Sequence, residues 1–347
     1  MNKHLTLFIL VFFPCLASGI RPDSLFLSDK VIDIELIADF TAIQNERTVE
    51  PEYHEGELIY HIPGKKKVRL NVKVESRGYF RRDPDHCNFP PLTVNFRKSE
   101  VKNTLFDNQD KLKLVTPCQD DKDVIDEYLV YRLYGRLTER SLNVRLVRVF
   151  YNDTGLNKII LKGYSFFIEH EDEAAKRMFA EESEKIVTPF DLDRPGFMKL
   201  ALFQYMIGNK DWYVSSRKNI IIMQPDDKSL KPFAVPYDFD FSGLVNADYT
   251  RPEGVPIEFL ATRKVYKGLC YSEQEFSAMF TYFQEIRPVL EKTIIAMKYL
   301  PSEQRKENLA YIDDFYKAIA GRDEIIRQFL AVCETRKLYN LPELVIP

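Results

Sequence analysis

Asp211, Asn219 and Asp238 are the residues of this chain whose types and spacing could carry chemistry. Two apolar runs, Ile220–Met223 and Phe233–Tyr237, flank the turn-rich segment 224–231, a pattern expected to fold as an antiparallel hairpin. Pairing Ile220 with Tyr237 sets Asn219 opposite Asp238. Facing Cα atoms of an antiparallel pair lie roughly 4.5–5.5 Å apart, so an amide and a carboxylate at the ends of this hairpin could grip one cation. An ion that prefers oxygen ligands, as Mg²⁺ does, suits that pair. Asp211 lies upstream, in a loop after an apolar helix, where it could orient or deprotonate a hydroxyl. A plain surface hairpin with capping Asp and Asn side chains would show the same three residues.

The elements that must hold these side chains come from both directions. Pro195–Ile207 is apolar nearly all round, with Pro in its first turn and Gly208 at its end, and so reads as a buried helix that keeps the next loop rigid. Trp212, the single tryptophan, is expected to anchor that loop rather than to stack on a substrate. Further upstream, Val31–Phe40 alternates apolar and polar residues as a half-buried strand does. Glu57–Ile62 and Val68–Glu75 repeat the pattern around the turn signal Pro63-Gly64, and Leu92–Phe96 adds another strand. Asp123–Leu137 changes to a helical period, with Asp120–Asp123 at its start, and Val144–Tyr151 and Lys158–Glu169 return to strands. Downstream, Ser272-Glu-Gln-Glu275 is a capping box for a long helix towards Tyr299, which Pro288 is expected to kink or divide. Helical patterns over 303–319 and 322–334 complete the chain, and there is no internal repeat.

Composition narrows the class. The 347 residues are 45% hydrophobic with a formal net charge of -3 and a pI of about 6.1. A chain of this kind has a real core and lacks the basic footprint that nucleic-acid binding needs. Arg132, Arg136, Arg140, Arg145 and Arg148 spread over a helix and a strand and read as a solvated face. Lys3 and His4 precede the apolar run Leu5–Leu16, followed by Ala17-Ser18-Gly19, so residues 1–19 read as a cleaved secretory signal peptide. The apolar run falls short of the ~20 residues that span a bilayer, so no stable membrane span is expected after cleavage. Phe12-Phe13-Pro14 before Cys15 lacks the small residues of lipoprotein processing. Cys87, Cys118, Cys270 and Cys333 then remain, with three possible pairings, and Cys87 with Cys118 is preferred because both fall in one expected lobe. No spacing suggests a zinc site.

An Asp, then an Asn, then a hairpin ending in Asp is the order that protein kinases use. With Arg77-Gly78, the aromatic strand Tyr164-Ser-Phe-Phe-Ile-Glu169, Asn209-Lys-Asp211 with Asn219, and Pro236-Tyr-Asp-Phe-Asp240 with Gly243, the chain resembles the CotH kinase-like family over residues 68–245. More remotely it resembles HipA-type kinases. The resemblance implies an α+β, bilobal protein-kinase-like fold: a β-rich lobe with one helix over 20–169, a hinge at Glu169–Ala175, and a mainly helical lobe over 170–347. It implies ATP held between the lobes, Asp211 as catalytic base or hydroxyl-orienting group, and Asn219, Asp238 and Asp240 as ligands of Mg²⁺ or Mn²⁺. For the nucleotide it leaves Lys98 or Lys113 as phosphate anchor, with Glu127 as the natural partner of Lys113. Arg77 is an alternative phosphate ligand, and Glu169 sits at the hinge. Two features depart from protein kinases: eight residues separate Asp211 from Asn219, and no Gly-rich loop is present.

The leading expectation is therefore a secreted or periplasmic bacterial envelope enzyme, metal-dependent, transferring phosphate from ATP to a protein or small-molecule hydroxyl. Its rivals are a non-catalytic binding or envelope-structure protein, and a metal-dependent hydrolase using Asp211, Asp238 and Asp240. A cleft that bound ATP in the flipped orientation would transfer AMP instead.

Overall fold

The structure, a computed structural model, describes residues 25–46, 50–61, 66–250 and 264–338. The expected signal peptide, Cys15 and the Pro63-Gly64 turn lie outside the described residues.

Alternation along the early strands has a simple outcome: their apolar faces enclose a barrel. Strands β1 (Ile32–Ala38), β2 (His54–Tyr60), β3 (Val68–Ser76), β4 (Leu92–Phe96), β5 (Lys111–Val115), β6 (Val144–Asp153) and β7 (Lys158–Ile168) close in the order β1-β2-β3-β4-β5-β7-β6. All neighbours run antiparallel except β1 and β6, which run parallel from Ile32 opposite Val147 to Ala38 opposite Asp153. Ile34 and Leu36, Leu70 and Val72, and Val94 and Phe96 point inward onto Phe106, Tyr151 and Phe167, all buried. Full closure leaves the barrel itself without a free edge strand.

Helices α1 (Phe40–Asn45), α2 (Lys98–Val101) and α3 (Asp121–Leu137) are inserted between barrel strands. The Asp120 carboxylate caps α3 by accepting from the N–H groups of Lys122 (2.9 Å) and Asp123 (3.4 Å). Helix α3 is buried almost all round because it is sandwiched, with β6 and β7 on one side and the long helix α6 (Glu273–Ile295) on the other. Between them the chain forms α4 (Glu171–Arg177), β8 (Ala180–Glu182), α5 (Arg194–Met206), β9 (Ile220–Pro225) and β10 (Phe233–Pro236). Strands β8, β9 and β10 make a separate sheet in the order β10-β9-β8, and α5 packs on β10. Helices α7 (Ser302–Ala320) and α8 (Arg322–Leu338) follow α6. A second hydrophobic core joins α3, α5, β9, β10, α6 and α7.

The bilobal, protein-kinase-like architecture is not what the chain adopts. It forms a closed seven-stranded mixed barrel, a separate three-stranded sheet and, among the described residues, eight α-helices, three of them before β6. The parallel β1–β6 pairing that closes the barrel joins residues more than a hundred positions apart, and periodicity within a strand carries no information about such a partner. The stretch expected to be a hinge instead opens helix α4, N-capped by His170, whose Nδ1 accepts from the Asp172 N–H.

The Ser272/Glu275 capping box is present as expected, whereas α6 is not divided at Pro288 but runs through it. Cys87 bonds to Cys118 and Cys270 to Cys333. Among the described residues no helix is long and apolar enough to cross a membrane.

Candidate active site

The apolar helix α5 ends at a glycine for a steric reason. Gly208 has φ +67°, and a Cβ there would stand 2.2 Å from the Tyr311 hydroxyl. The loop that follows is then tied down residue by residue. Asn209 Oδ1 accepts from the Asp211 N–H at 2.9 Å. The buried Lys267 ammonium donates to the carbonyls of Lys210 and Trp212, each at 2.8 Å, and lies 3.6 Å from the Tyr213 ring centre. Trp212 is buried beside Phe197, the anchoring role expected of it. The Asp211 carboxylate so presented forms an ion pair with Lys218 and accepts from Asn219 Nδ2 at 3.1 Å.

The hairpin lies one residue out of the expected register. Ile220 faces Pro236, and the Tyr237 N–H donates to the Asn219 carbonyl at 3.1 Å. Asn219 (φ 55°) and Asp238 (φ 59°) both leave the ladder through the left-handed region, which Asn and Asp tolerate better than other side-chain-bearing residues. The Asp238 N–H donates to the Tyr131 hydroxyl of α3 at 2.9 Å, which fixes the end of β10 against that helix.

Asp211, Asn219, Asp238 and Asp240 line one cleft of about 350 Å³ together with Arg77, Lys113 and Glu127, all singled out from sequence. Two candidates are elsewhere. Lys98 is solvent-exposed and pairs with Asp110 at 2.9 Å. Glu169 is buried, accepts from the Asn143 N–H at 2.9 Å and is held by Arg177 at 2.7 Å. Lys113 is in the cleft but its partner is Glu171, not Glu127. Because Lys113 sits opposite Ile168 in the β5–β7 ladder, its side chain reaches the start of α4 rather than α3.

Glu127 faces the carboxylates instead. Burial, then the Asp238 charge, pushes its carboxyl up to about 8, against the opposing pull of Arg81 and a hydrogen bond from the Phe239 N–H. Asp240 is pushed well above the usual carboxylate range by burial, then by Asp238 and Glu127, and it accepts from the Tyr249 hydroxyl at 3.1 Å. The cation that answers them is Arg81, which sequence reasoning missed because Arg81-Arg82 looks like a solvated pair. Arg81 is buried, donates to the Thr116 carbonyl at 2.5 Å and lies 5.3 Å from the Tyr249 ring centre. Burial opposes its charge, but Tyr249, Asp240, Glu127 and Asp238 outweigh that and raise its pKa.

Among the described residues no three His, Cys, Asp or Glu side chains are arranged to hold a metal ion. Of the groups lining the cleft, the carboxylates of Asp238 and Asp240 and the Asn219 amide oxygen, whose nitrogen is already committed to Asp211, are the oxygens open to a cation. Magnesium is commonly held by one or two carboxylates, with substrate phosphates completing its shell. Glu127 and Asp240, whose carboxyls burial and acidic neighbours raise, sit where positive charge is short. The donor set therefore fits Mg²⁺ or Mn²⁺ bound jointly with a polyanion.

Larger clefts exist, of about 840 Å³ around the C-terminal half of α3 and about 520 Å³ between α3, α5 and α6. Neither contains the acidic residues of the hairpin. The arginine face is not solvated throughout. Arg132, Arg140 and Arg148 pair with Asp29, Asp193 and Asp33, while Arg145 is buried and donates to the carbonyls of Leu25 and Ser28. No protein-family model and no curated protein matches the chain.

Proposed function

We propose that this protein is a metal-dependent phosphotransferase that moves a phosphoryl group from ATP to the hydroxyl of a protein or small molecule. One observation carries the reading: a single cleft joins Asp211, Asn219, Asp238 and Asp240 to the cationic groups of Arg77, Arg81, Lys113 and Lys218. Phosphoryl transfer has a loose transition state with charge on the equatorial oxygens, so its catalysis is mostly positioning and neutralisation. Mg²⁺ or Mn²⁺, held by Asn219, Asp238 and Asp240, would supply neutralisation of the phosphates when bound. Arg77, Lys113 and Lys218 meet the remaining phosphate charge. Asp211 orients the acceptor hydroxyl and takes its proton as the oxygen bonds to the γ-phosphorus. The bond from that phosphorus to the bridging oxygen breaks, and ADP leaves with the electron pair. The apolar leader at residues 1–19 and the two disulfides support a secreted or periplasmic setting.

A ligand-binding protein without turnover is a second reading, favoured by the Asp211 carboxylate being paired with the Lys218 ammonium and accepting from the Asn219 amide. Incubation of the full chain with ATP and Mg²⁺ or Mn²⁺ separates the two. Phosphotransfer yields ADP, with phosphate added to the chain or an acceptor by mass spectrometry, and Asp211→Asn lowers the rate by ~10²–10⁴-fold. An AMP adduct would replace phosphorylation by adenylylation, and a rate unaffected by Asp211→Asn would remove the base assignment.

A further inference from the structure

The segment Arg77-Gly78-Tyr79-Phe80-Arg81 contributes two kinds of group to the same cleft, and only one of them is accounted for by phosphate. Arg81 points into the protein, to Thr116 and the carboxylates. Tyr79, between the two arginines, is 87% exposed, and Phe80 is also at the surface. The reversal runs through Gly78, at φ +77°, where nothing lies within 4 Å of the position a Cβ would take. Phe80 is braced from behind by a stacked His86 at 3.8 Å, and from the opposite wall Phe241 meets it edge-on at 5.8 Å. Phe241 directly follows Asp240 and is itself exposed. Tyr79, Phe80 and Phe241 all line the cleft that holds the acidic residues. Exposed aromatic rings have a cost in water, and here three gather at one mouth beside cationic side chains.

We propose that Tyr79, Phe80 and Phe241 form a stacking platform for the base of a nucleoside polyphosphate whose phosphates lie deeper, against Arg77 and Lys113. This rests on the phosphotransferase reading and adds to it the place of the donor's base and the site's tolerance for which base it is. A nucleotide joins a flat ring to a polyanion, which matches one loop that offers aromatic faces outward and guanidinium groups inward. Inorganic polyphosphate would leave the rings uncovered. Stacking needs only a π-face, which every base has. The platform's one polar group is the Tyr79 hydroxyl, too little to read the hydrogen-bonding edge of a base. The site therefore accepts ATP and GTP alike, and purines bind ahead of pyrimidines because they stack over more area.

Calorimetric titration of the full chain in Mg²⁺ with ATP, GTP, CTP and inorganic tripolyphosphate tests this. ATP and GTP are expected to bind within a few-fold of each other, and both about 5- to 150-fold more tightly than tripolyphosphate, the range given by one stacked base. CTP should fall between. Tyr79→Ala, a surface change that far-UV circular dichroism can confirm as folded, is expected to weaken ATP and leave tripolyphosphate unchanged. If tripolyphosphate binds wild type as tightly as ATP, or Tyr79→Ala weakens both equally, the platform is wrong while the phosphate site stands. If ATP binds strongly and GTP not at all, the tolerance argument fails. Binding of none of the four removes the phosphotransferase reading and the platform with it.

Discussion

Replacing Arg81 by Met keeps much of the side chain's length and removes the one buried cation opposite Glu127 and Asp240. Two losses follow. The Thr116 carbonyl loses its charged donor at 2.5 Å, worth about 1.5–3 kcal/mol. Glu127 loses the charge that holds its carboxyl down at about 8. The sign of the pH effect follows from that raised value. Between its ordinary range and about 8, the folded chain keeps a proton that the unfolded chain has lost, so wild-type stability falls as pH rises through this window. Above it Glu127 is ionised in both states and its contribution levels off. Without Arg81 the Glu127 pKa rises further and the fall continues. Each pH unit is ~1.4 kcal/mol, so from pH 8 to 9.5 the variant loses up to ~2 kcal/mol more than wild type. The cost of Arg81→Met should then be about 1.5–3 kcal/mol at pH 6 and up to about 3.5–5 kcal/mol at pH 9.5, the latter in the range for breaking a buried charge pair. Urea unfolding followed by the buried Trp212 reads both. A cost under about 1 kcal/mol, or one that is equal at the two pH values, would refute the placement of Arg81 as the counter-charge.

Two further perturbations act on the frame around the cleft. Asp126, buried on α3, is pushed up to about 6 by burial in spite of Lys122 at 3.1 Å and Asn308 at 2.7 Å. Wild-type thermal stability should therefore fall from about pH 4 to pH 6, and Asp126→Asn should flatten that part of the profile; an unchanged slope counts against the assignment. The Cys87–Cys118 disulfide ties the loop that carries Arg81 to the strand end that carries Thr116. Replacing both cysteines by Ser should cost about 2–4 kcal/mol in urea and weaken nucleotide binding together with it, whereas a stability loss with intact binding would mean that the disulfide does not position the loop.

Legibility in the sequence followed distance along the chain. The hairpin, α5, its terminal Gly208 and the capping box at Ser272 come from signals a few residues long, and the structure contains each. The one-residue register error at Asn219 and Asp238 arose because both leave the strand in left-handed conformations, which alternation of apolar residues does not report. Barrel closure by β1 and β6 depends on a pairing between Ile32 and Val147, so the strands that alternation marks do not by themselves distinguish a barrel from a kinase-like lobe. Lys113 pairs with Glu171 rather than the Glu127 that its sequence neighbourhood suggests, since its reach is set by the β5–β7 register and not by its own neighbours. Arg81 had no local mark, because burial of an arginine is decided by what folds over it, here Tyr249 and the carboxylates of Glu127 and Asp240.

The most direct test of the cleft is the thermal midpoint of wild type and Asp238→Ala with ATP and either Mg²⁺ or Mn²⁺. A ligand that binds only the folded chain stabilises it by about 2.7 kcal/mol at a hundred times its Kd, a shift of several degrees. If Asp238 holds the ion that brings the phosphates in, wild type rises when metal and ATP are both present and Asp238→Ala does not. Equal shifts in the two proteins, or no shift with any nucleotide, would contradict a phosphotransferase site at Asp211, Asn219 and Asp238.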